Sequence, residues 1–541
     1  MNKKLFCFFL IGFSLLGAEE YYYSREWLNL LYYAKTLTGY QSSAMSADFF
    51  VSEKGRENPR LEYETSLQLV KEKDIHFKTK FPLRYKYIAR QNDLKYEPVV
   101  VITKNVTNII LAYPNRYIQN PVSMFGHVFL ALETDRGLLD SRILHYVADT
   151  RGDQQGLAYA LKGLTGGYKG AFYAEDYYKK IKEYNYLEDR EVLLYDLKFS
   201  PEQIEDLQLH YLELQNTFFY YYFLDANCAF YIGKFLNVVL AKDILSKPVY
   251  TMPAALVNNL RAEGLLENER TRPTATKTFN YLYNLLDNRQ KAQVRTLLTA
   301  KAKDLDADPE TLKTFLTISE FMISNHSELA EIIRQNRIWA YKKLNENNEY
   351  QIRPARQAAE RVQKINYHSA KFSWFPKNFA GLEFNPIHFL DDDEQEIKNV
   401  RLLGISFKSC GSDRPRYGFD LLEIDNLTQS NLLLPAVSWS AKSQFSWQND
   451  FATNQELYLG YAFNILNNGL LYILLGGNYA NYDNRLRQNL DNLYLTMGGK
   501  IGVKQKLFDN CSLLLAYENQ RRNDYRVAEL TYSWQDLLGK L

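Results

Sequence analysis

Asp225-Ala226-Asn227-Cys228-Ala229-Phe230-Tyr231-Ile232-Gly233-Lys234-Phe235-Leu236-Asn237-Val238-Val239-Leu240 reads as a polar cap, a thiol and then an apolar stripe. Ile232, Phe235, Leu236, Val239 and Leu240 recur at i, i+3, i+4, i+7 and i+8, the period of a helix with one buried face. Asn227 is a natural N-cap, which places Cys228 in the first turn. Unpaired N–H groups and the helix dipole at that end favour a thiolate. A small buried cysteine filling a helix–sheet gap would leave the same pattern.

A base for such a thiol stands upstream, in Ser123-Met124-Phe125-Gly126-His127-Val128-Phe129-Leu130-Ala131-Leu132-Glu133. The apolar run from His127 predicts a strand, with glycine before the histidine where another chain would approach closely. Asp135-Arg136-Gly137 turns the chain and Ile143 to Ala148 returns it, carrying His145, which could lie across from His127 and orient its ring. The glycines of Gly163-Leu164-Thr165-Gly166-Gly167-Tyr168-Lys169-Gly170 suggest a substrate loop; a nucleotide loop would need Gly-Lys-Ser/Thr. Ser123, Asn227, Gly166, Gly167 and Tyr168 are therefore candidate substrate-binding positions beside the catalytic candidates Cys228, His127 and His145. No His, Cys, Asp or Glu spacing matches a metal site, and no cofactor is expected.

The amino terminus reads as a secretory signal. Lys3-Lys4 precede the apolar run Leu5–Gly17, and Ala18 offers a cleavage point before Glu19-Glu20. Cleavage would remove Cys7 and leave Cys228, Cys410 and Cys511, an odd number, with Cys228 expected to be free. Lys and Arg number 65 against 63 Asp and Glu, without a basic stripe, which disfavours nucleic acid as a partner. The 42 Tyr and 31 Phe against 6 Met suit sheet surfaces and membrane interfaces, where a ring has one apolar and one wet end.

Three regimes follow the signal. Mixed helix and strand patterns run to about Ile244, with a first helix expected over Arg25–Leu37 (Trp27, Leu30, Leu31, Ala34 and Leu37 on one face) and short strands at Val99–Thr103 and Ile109–Ala112. A charged helical stretch continues to about Val362, in which Asp308-Pro309 caps a helix through Met322. From about Lys371 the period becomes two. In Leu457-Tyr458-Leu459-Gly460-Tyr461-Ala462-Phe463-Asn464-Ile465 the large apolar residues share one face, while Gly460, Ala462 and Asn464 with Tyr458 share the other. About eight such segments separated by turns predict an antiparallel outer-membrane β-barrel; the rival is a soluble sheet, because Lys and Arg occur inside some strands.

Four blocks resemble the Lnb-type lipoprotein N-acylation family: Ser123–His127, Gly163–Gly170, Glu188-Asp189-Arg190-Glu191 and Tyr222–Cys228. They occur in that family's order, and Trp27–Tyr33, Phe49-Phe50 and Phe81–Tyr85 resemble its N-terminal module. The resemblance implies an α+β chain with a permuted papain-like thiol domain, in which Cys228 is the acyl-accepting nucleophile and His127 its base. The family usually has asparagine where His145 aligns, whereas NlpC-type relatives often use a second histidine. The expected organisation is a signal at 1–18, an N-terminal helical module at 19–95, a papain-like catalytic domain at 96–245, a helical region at 246–365 and a barrel-like domain at 366–541.

The function expected is an exported acyltransferase working through a thioester in the periplasm, held at the bacterial outer membrane by the barrel, with lipoprotein and phospholipid acyl groups as substrates. The aromatic run Phe218–Phe223 with Phe230 would give the thiol an apolar approach suited to an acyl chain. Two alternatives stay open: a peptidoglycan amidase or peptidase, and a non-enzymatic outer-membrane barrel with a periplasmic binding domain.

Overall fold

The computed structural model describes residues 21–97, 99, 101–115, 126–150, 162–245, 251–302, 305–346, 368–375, 379–392, 396–410, 413–430, 436–447, 451–466, 469–481, 494–508, 511–520 and 523–534. The expected signal and Ser123–Phe125 lie outside the described residues. The chain divides into two compact units, one ending at Arg272 and the other beginning at Pro273.

The first unit opens with α1 (Arg25–Leu30), whose Ser24 cap accepts from the Trp27 N–H. It ends seven residues short of the expected Leu37. Tyr32 takes a left-handed φ of 57°, and the chain enters a hairpin of β1 (Tyr33–Thr36) and β2 (Gly39–Ser42), leaving Leu37 fully exposed. Three helices follow: α2 (Pro59–Lys71), α3 (Ile75–Lys80) and α4 (Pro82–Gln91). Their centre is a fully buried charge. Arg84 pairs with Glu62 at 3.3 Å and Glu213 at 3.2 Å, donates to the Phe49 carbonyl at 2.8 Å and lies over the Phe49 and Phe81 rings. These contacts offset most of the cost of burying the guanidinium, although its Nη2 has no hydrogen-bond partner and burial pushes the Glu213 carboxyl up to about 7.

A seven-stranded antiparallel sheet forms the body of this unit. Its strands are β3 (Val106–Pro114), β4 (Phe129–Thr134), β5 (Arg142–Asp149), β6 (Tyr168–Asp176), β7 (Val192–Leu197), β8 (Phe218–Tyr221) and β9 (Leu266–Arg272), in the order β8-β6-β5-β4-β3-β7-β9. Expected strands at Ile109–Ala112, at the apolar run after His127 and at Ile143–Ala148 are therefore present. No strand forms at the described residues of Val99–Thr103, where the Thr103 N–H is taken by the Gln208 side chain at 2.9 Å instead of a sheet partner. Between strands come α5 (Tyr177–Lys182), α6 (Pro201–Leu214, opened by a Ser200/Gln203 capping box), α7 (Cys228–Leu240) and α8 (Pro253–Ala262).

Strand alternation sends neighbouring side chains to opposite faces. Tyr146 and Phe172 meet α7 through Tyr231 and Phe235, with ring centroids 4.4 and 5.2 Å apart. Phe129, Ala131 and Ile143 face the other way and pack with Tyr177, Ile181 and Tyr184.

The second unit begins with four helices, α9 (Ala275–Leu285), α10 (Asn288–Thr299), α11 (Pro309–Asn325) and α12 (Ala330–Glu346); Asp308 caps α11 as expected, accepting from the Thr311 N–H. The barrel is built from β10 (His368–Phe375), β11 (Phe379–Asn385), β12 (Ile387–Asp392), β13 (Glu396–Cys410), β14 (Asp413–Thr428), β15 (Ser438–Trp447), β16 (Phe451–Leu466), β17 (Gly469–Asn481), β18 (Tyr494–Phe508), β19 (Cys511–Gln520) and β20 (Asn523–Trp534). β11 and β12 run on as one strand along β13, each later strand pairs with the next, and β20 pairs back onto β10 from His368↔Trp534 to Trp374↔Ala528. The sheet is thus a closed antiparallel barrel.

It has ten strands, which corrects the expected eight. Charged residues inside several strands interrupt the apolar alternation, yet these side chains pair inside the barrel. Lys371 bonds Glu383 at 2.8 Å, Lys442 bonds Glu423 at 3.0 Å, Arg401 pairs with Glu423, and Lys500 bonds Glu456 at 2.6 Å. Outside, Leu457, Leu459, Tyr461, Phe463 and Ile465 are exposed while Tyr458 and Ala462 are buried. A polar interior under an apolar exterior is the inverse of a soluble sheet and the pattern of a lipid-facing barrel. Among the described residues no helix is long and apolar enough to cross a membrane.

Candidate thiol site

Asn227 does at Cys228 what its sequence position requires. Its side-chain oxygen accepts from the N–H groups of Ala229 (2.9 Å) and Phe230 (3.3 Å), while its amide donates to the carbonyls of Phe223 (3.1 Å) and Thr251 (2.6 Å). The cap therefore ties the first turn of α7 to the segments on either side of it. Cys228 follows as the first residue of the helix, a free thiol only 3% exposed. Burial pushes it up to about 11, against the pull of the Val128 N–H, the Tyr221 hydroxyl and the N–H groups of Ala229 and Cys228 itself. The helix end alone does not yield a resting thiolate: desolvation outweighs it. Cys511, in the barrel, is also a free thiol.

His127 lies one residue before the Val128 N–H that reaches the thiol. Gly126 ahead of it has φ +83°, and a Cβ there would fall 2.7 Å from the Tyr113 ring, so glycine is required twice over, by backbone conformation and by close approach. The His127 ring is half-buried, with its Nε2 enclosed and unpartnered among the described residues. Burial holds its pKa well below the usual histidine range, helped by His145, Lys180 and Arg190. The groups disposed around this ring are thus different from those around the thiol. At rest the two groups are a neutral imidazole and a protonated thiol.

His145 comes to His127, although not by direct strand pairing. The register sets Phe129 opposite His145, and the two imidazoles meet edge to face with centroids 6.4 Å apart. His145 belongs to the sheet face away from α7, since its neighbour Tyr146 is the residue that packs on Tyr231. Its Nε2 lies 3.0 Å from Glu175 Oε1, and this contact, more than any other, draws the Glu175 carboxyl down to about 2.

The glycine loop rests against the approach to Cys228. A Cβ at Gly163 would meet the Phe223 ring and one at Gly166 the Tyr222 ring, and the Phe223 N–H donates to the Gly163 carbonyl at 3.0 Å. A Cβ at Gly167 would meet the Lys162 side chain, and Tyr168 is buried and stacked on Phe223 at 6.2 Å. The aromatic run divides by strand alternation. Phe219 and Tyr221 are buried, whereas Tyr220 and Tyr222 are exposed.

Tyr221 belongs to the aromatic run expected beside the thiol, whereas Glu175, next to His145, is a residue that sequence reading did not single out. A carboxylate two residues beyond the strand position facing His145 becomes visible only once the β5–β6 register (His145↔Tyr173, Ile143↔Glu175) is known. Arg190, from the Glu188–Glu191 block, is buried and donates to the carbonyls of Asn115 (2.5 Å) and Pro114 (3.2 Å), fixing the end of β3 beside His127.

A buried thiol at a helix start, with the residue after His127 reaching it through its N–H, in a unit separate from a closed barrel, defines the class: a thiol-site domain joined to a membrane-type barrel. Residues 102–260 match the family model of the Lnb N-terminal periplasmic domain, which bears out the Lnb resemblance over the region holding Cys228 and His127. Residues 19–91 match a domain of unknown function, DUF7843. No curated protein matches the chain. Among solved structures, the chain is similar to one described as de novo design of transmembrane beta-barrels (10% identity, covering 32% of this chain and 99% of that one, TM-score 0.17). It is also similar to the KdgM porin in complex with disordered oligogalacturonate (9% identity, 31% and 99%, TM-score 0.17).

Proposed function

We propose that this chain is an exported thiol acyltransferase acting on lipoprotein amino termini, its catalytic unit a permuted papain-like domain in the periplasm and its barrel seated in the outer membrane. The observation that carries the reading is the Asn227-capped Cys228 with the Val128 N–H on its thiol and His127 next in the chain. His127 turns to Sγ, takes its proton, and the thiolate attacks the ester carbonyl of a phospholipid. The lysophospholipid leaves with that proton, and the acyl group stays on Sγ as a thioester. The lipoprotein α-amine then attacks the thioester, gives its surplus proton through His127 to the departing thiolate, and leaves as the N-acyl product. The Val128 N–H, beside the sulfur, would steady the oxyanion. Ser123 and Gly166-Gly167-Tyr168 would bind substrate. A thiol 3% exposed among aromatic rings favours transfer to an amine over hydrolysis, because water is held off.

The test uses the full chain with a diacylated lipopeptide and phospholipid. An N-acylated lipopeptide and a Cys228 acyl adduct labile to neutral hydroxylamine are expected, with both lost in Cys228→Ala and His127→Ala. Full activity in either variant sinks the mechanism. Cleaved muropeptides without lipopeptide acylation would establish an amidase instead.

A further inference from the structure

Beyond His127, buried polar groups continue onto the sheet face away from α7, and the transfer chemistry above does not use them. Nε2 of His127 is enclosed without a hydrogen-bond partner among the described residues, and so are both ring nitrogens of His145, 6.4 Å away centroid to centroid. The far nitrogen of His145, Nε2, lies 3.0 Å from Glu175 Oε1. Three elements bring groups to His145 and its carboxylate neighbour. From β4 comes His127, from β6 come Tyr173 and Glu175, and from α5 comes Lys180, 4.0 Å from the other oxygen of Glu175 and paired with Glu183 at 2.9 Å. The Glu175 carboxylate stands at ion-pair distance from His145 Nε2 without yet being aligned for a hydrogen bond, and a small turn of the His145 ring aligns the two and leaves its Nδ1 lone pair toward His127.

We propose that Glu175 is a positioning residue that acts on the thiol through two histidines in series, Glu175–His145–His127. A small rotation of the His127 ring brings its Nε2–H to His145 Nδ1, leaving His127 Nδ1 to take the Cys228 proton. That proton is the only one that changes heavy atom: Sγ loses it and His127 becomes an imidazolium, whose charge Glu175 steadies through neutral His145. In such a chain the histidine that orients the base is itself held by a carboxylate. It is also how a thiol that is protonated at rest is drawn toward thiolate when His127 engages it. The inference rests on the proposed acyl-transfer reading only for which residue is the nucleophile.

The test separates the two. In the full chain in detergent micelles, with Cys410 and Cys511 changed to serine, the rate at which methyl methanethiosulfonate modifies Cys228 is followed against pH. Glu175→Gln keeps the shape of the side chain and removes its charge. It is expected to move the labelling midpoint upward by about 0.5–1 pH unit, as His145→Gln does, with the melting temperature unchanged. Acyl transfer, measured alongside, should fall roughly 10- to 100-fold in kcat with KM held, the usual scale for loss of an outer-shell partner, and Glu175→Asp should recover part of it. A Glu175→Gln profile that superimposes on wild type, or a change confined to melting temperature, overturns the relay, as does a wild-type thiol unreactive across the pH range. A shifted labelling profile in a protein that acylates no lipopeptide keeps the relay and removes only the substrate assignment.

Discussion

His210 shows what burial does to a single titratable group. It is fully buried, with Nε2 3.0 Å from the Tyr32 hydroxyl, and desolvation holds it down to about 3, with Arg84 adding to the effect. Between about pH 6.5, its ordinary value, and 3 the unfolded chain binds a proton that the folded one refuses. Stability therefore falls as pH drops through that window and is unaffected above it. Denaturant melts from pH 7 to 4 should show this slope, and His210→Gln should flatten it by about one proton, with His127 supplying a slope of the same sign. Equal slopes in wild type and variant would refute the assignment. Gly126 offers a sharper residue-scale test. Gly126→Ala must relieve a 2.7 Å approach to Tyr113 at a φ of +83°, so His127 should be displaced and transfer lost while the unit still folds. Activity at wild-type level would show that the histidine does not need this geometry.

At the scale of elements, the start of α7 and the centre of the helical module each hang on one side chain. Asn227→Ala removes the acceptor for two N–H groups and strands two carbonyls, so a loss of roughly 1–2 kcal/mol in stability is expected, together with slower Cys228 labelling as the first turn frays. Arg84→Met leaves Glu62 and Glu213 buried without their cation and should cost about 3–5 kcal/mol, read as a fall in the melting temperature of the first unit. Changing Glu62 and Glu213 to Gln in the same variant should restore much of that loss, because the penalty comes from uncompensated charge rather than lost volume. No recovery would mean that packing, not charge, holds these helices.

For the whole molecule the barrel makes the predictions. Its outer face should sit in lipid, so Leu475→Arg, at an exposed position in β17, is expected to impair insertion by roughly 2–4 kcal/mol near the midplane, scored as loss of the protein from the outer-membrane fraction. Bonds inside the barrel also span several strands. Lys371 of β10 reaches Glu423 of β14 at 3.5 Å, and Arg401 of β13 reaches Thr531 of β20 at 3.5 Å. Side chains that bridge in this way occupy the lumen, so planar bilayers containing the protein should show no steady conductance. A stable open channel would contradict a filled interior and favour a porin role.

Much of this was legible in the sequence for a stated physical reason. Helical period and capping chemistry are local, so Asn227, Cys228 and the α7 stripe could be read directly, as could Asp308 and α11. Alternation in β16 is local too, and its inner and outer faces came out as read. What depended on partners far along the chain did not show. The first helix stopped early because Tyr32 turns left-handed into a hairpin. The strand number, ten rather than about eight, was not legible because charges within the strands find their partners only across the closed interior. Glu175 joined the site through the β5–β6 register, and the resting thiol is protonated because burial, a property of the packed unit, outweighs the helix end that the sequence reveals. The sequence by itself determined the thiol-bearing cap with its helix, the Asp308-capped helix and the alternating faces of β16. Tertiary structure alone decided which charges meet, which face each histidine takes and how many strands close the ring, because those outcomes are set by desolvation and by contacts between residues far apart in the chain.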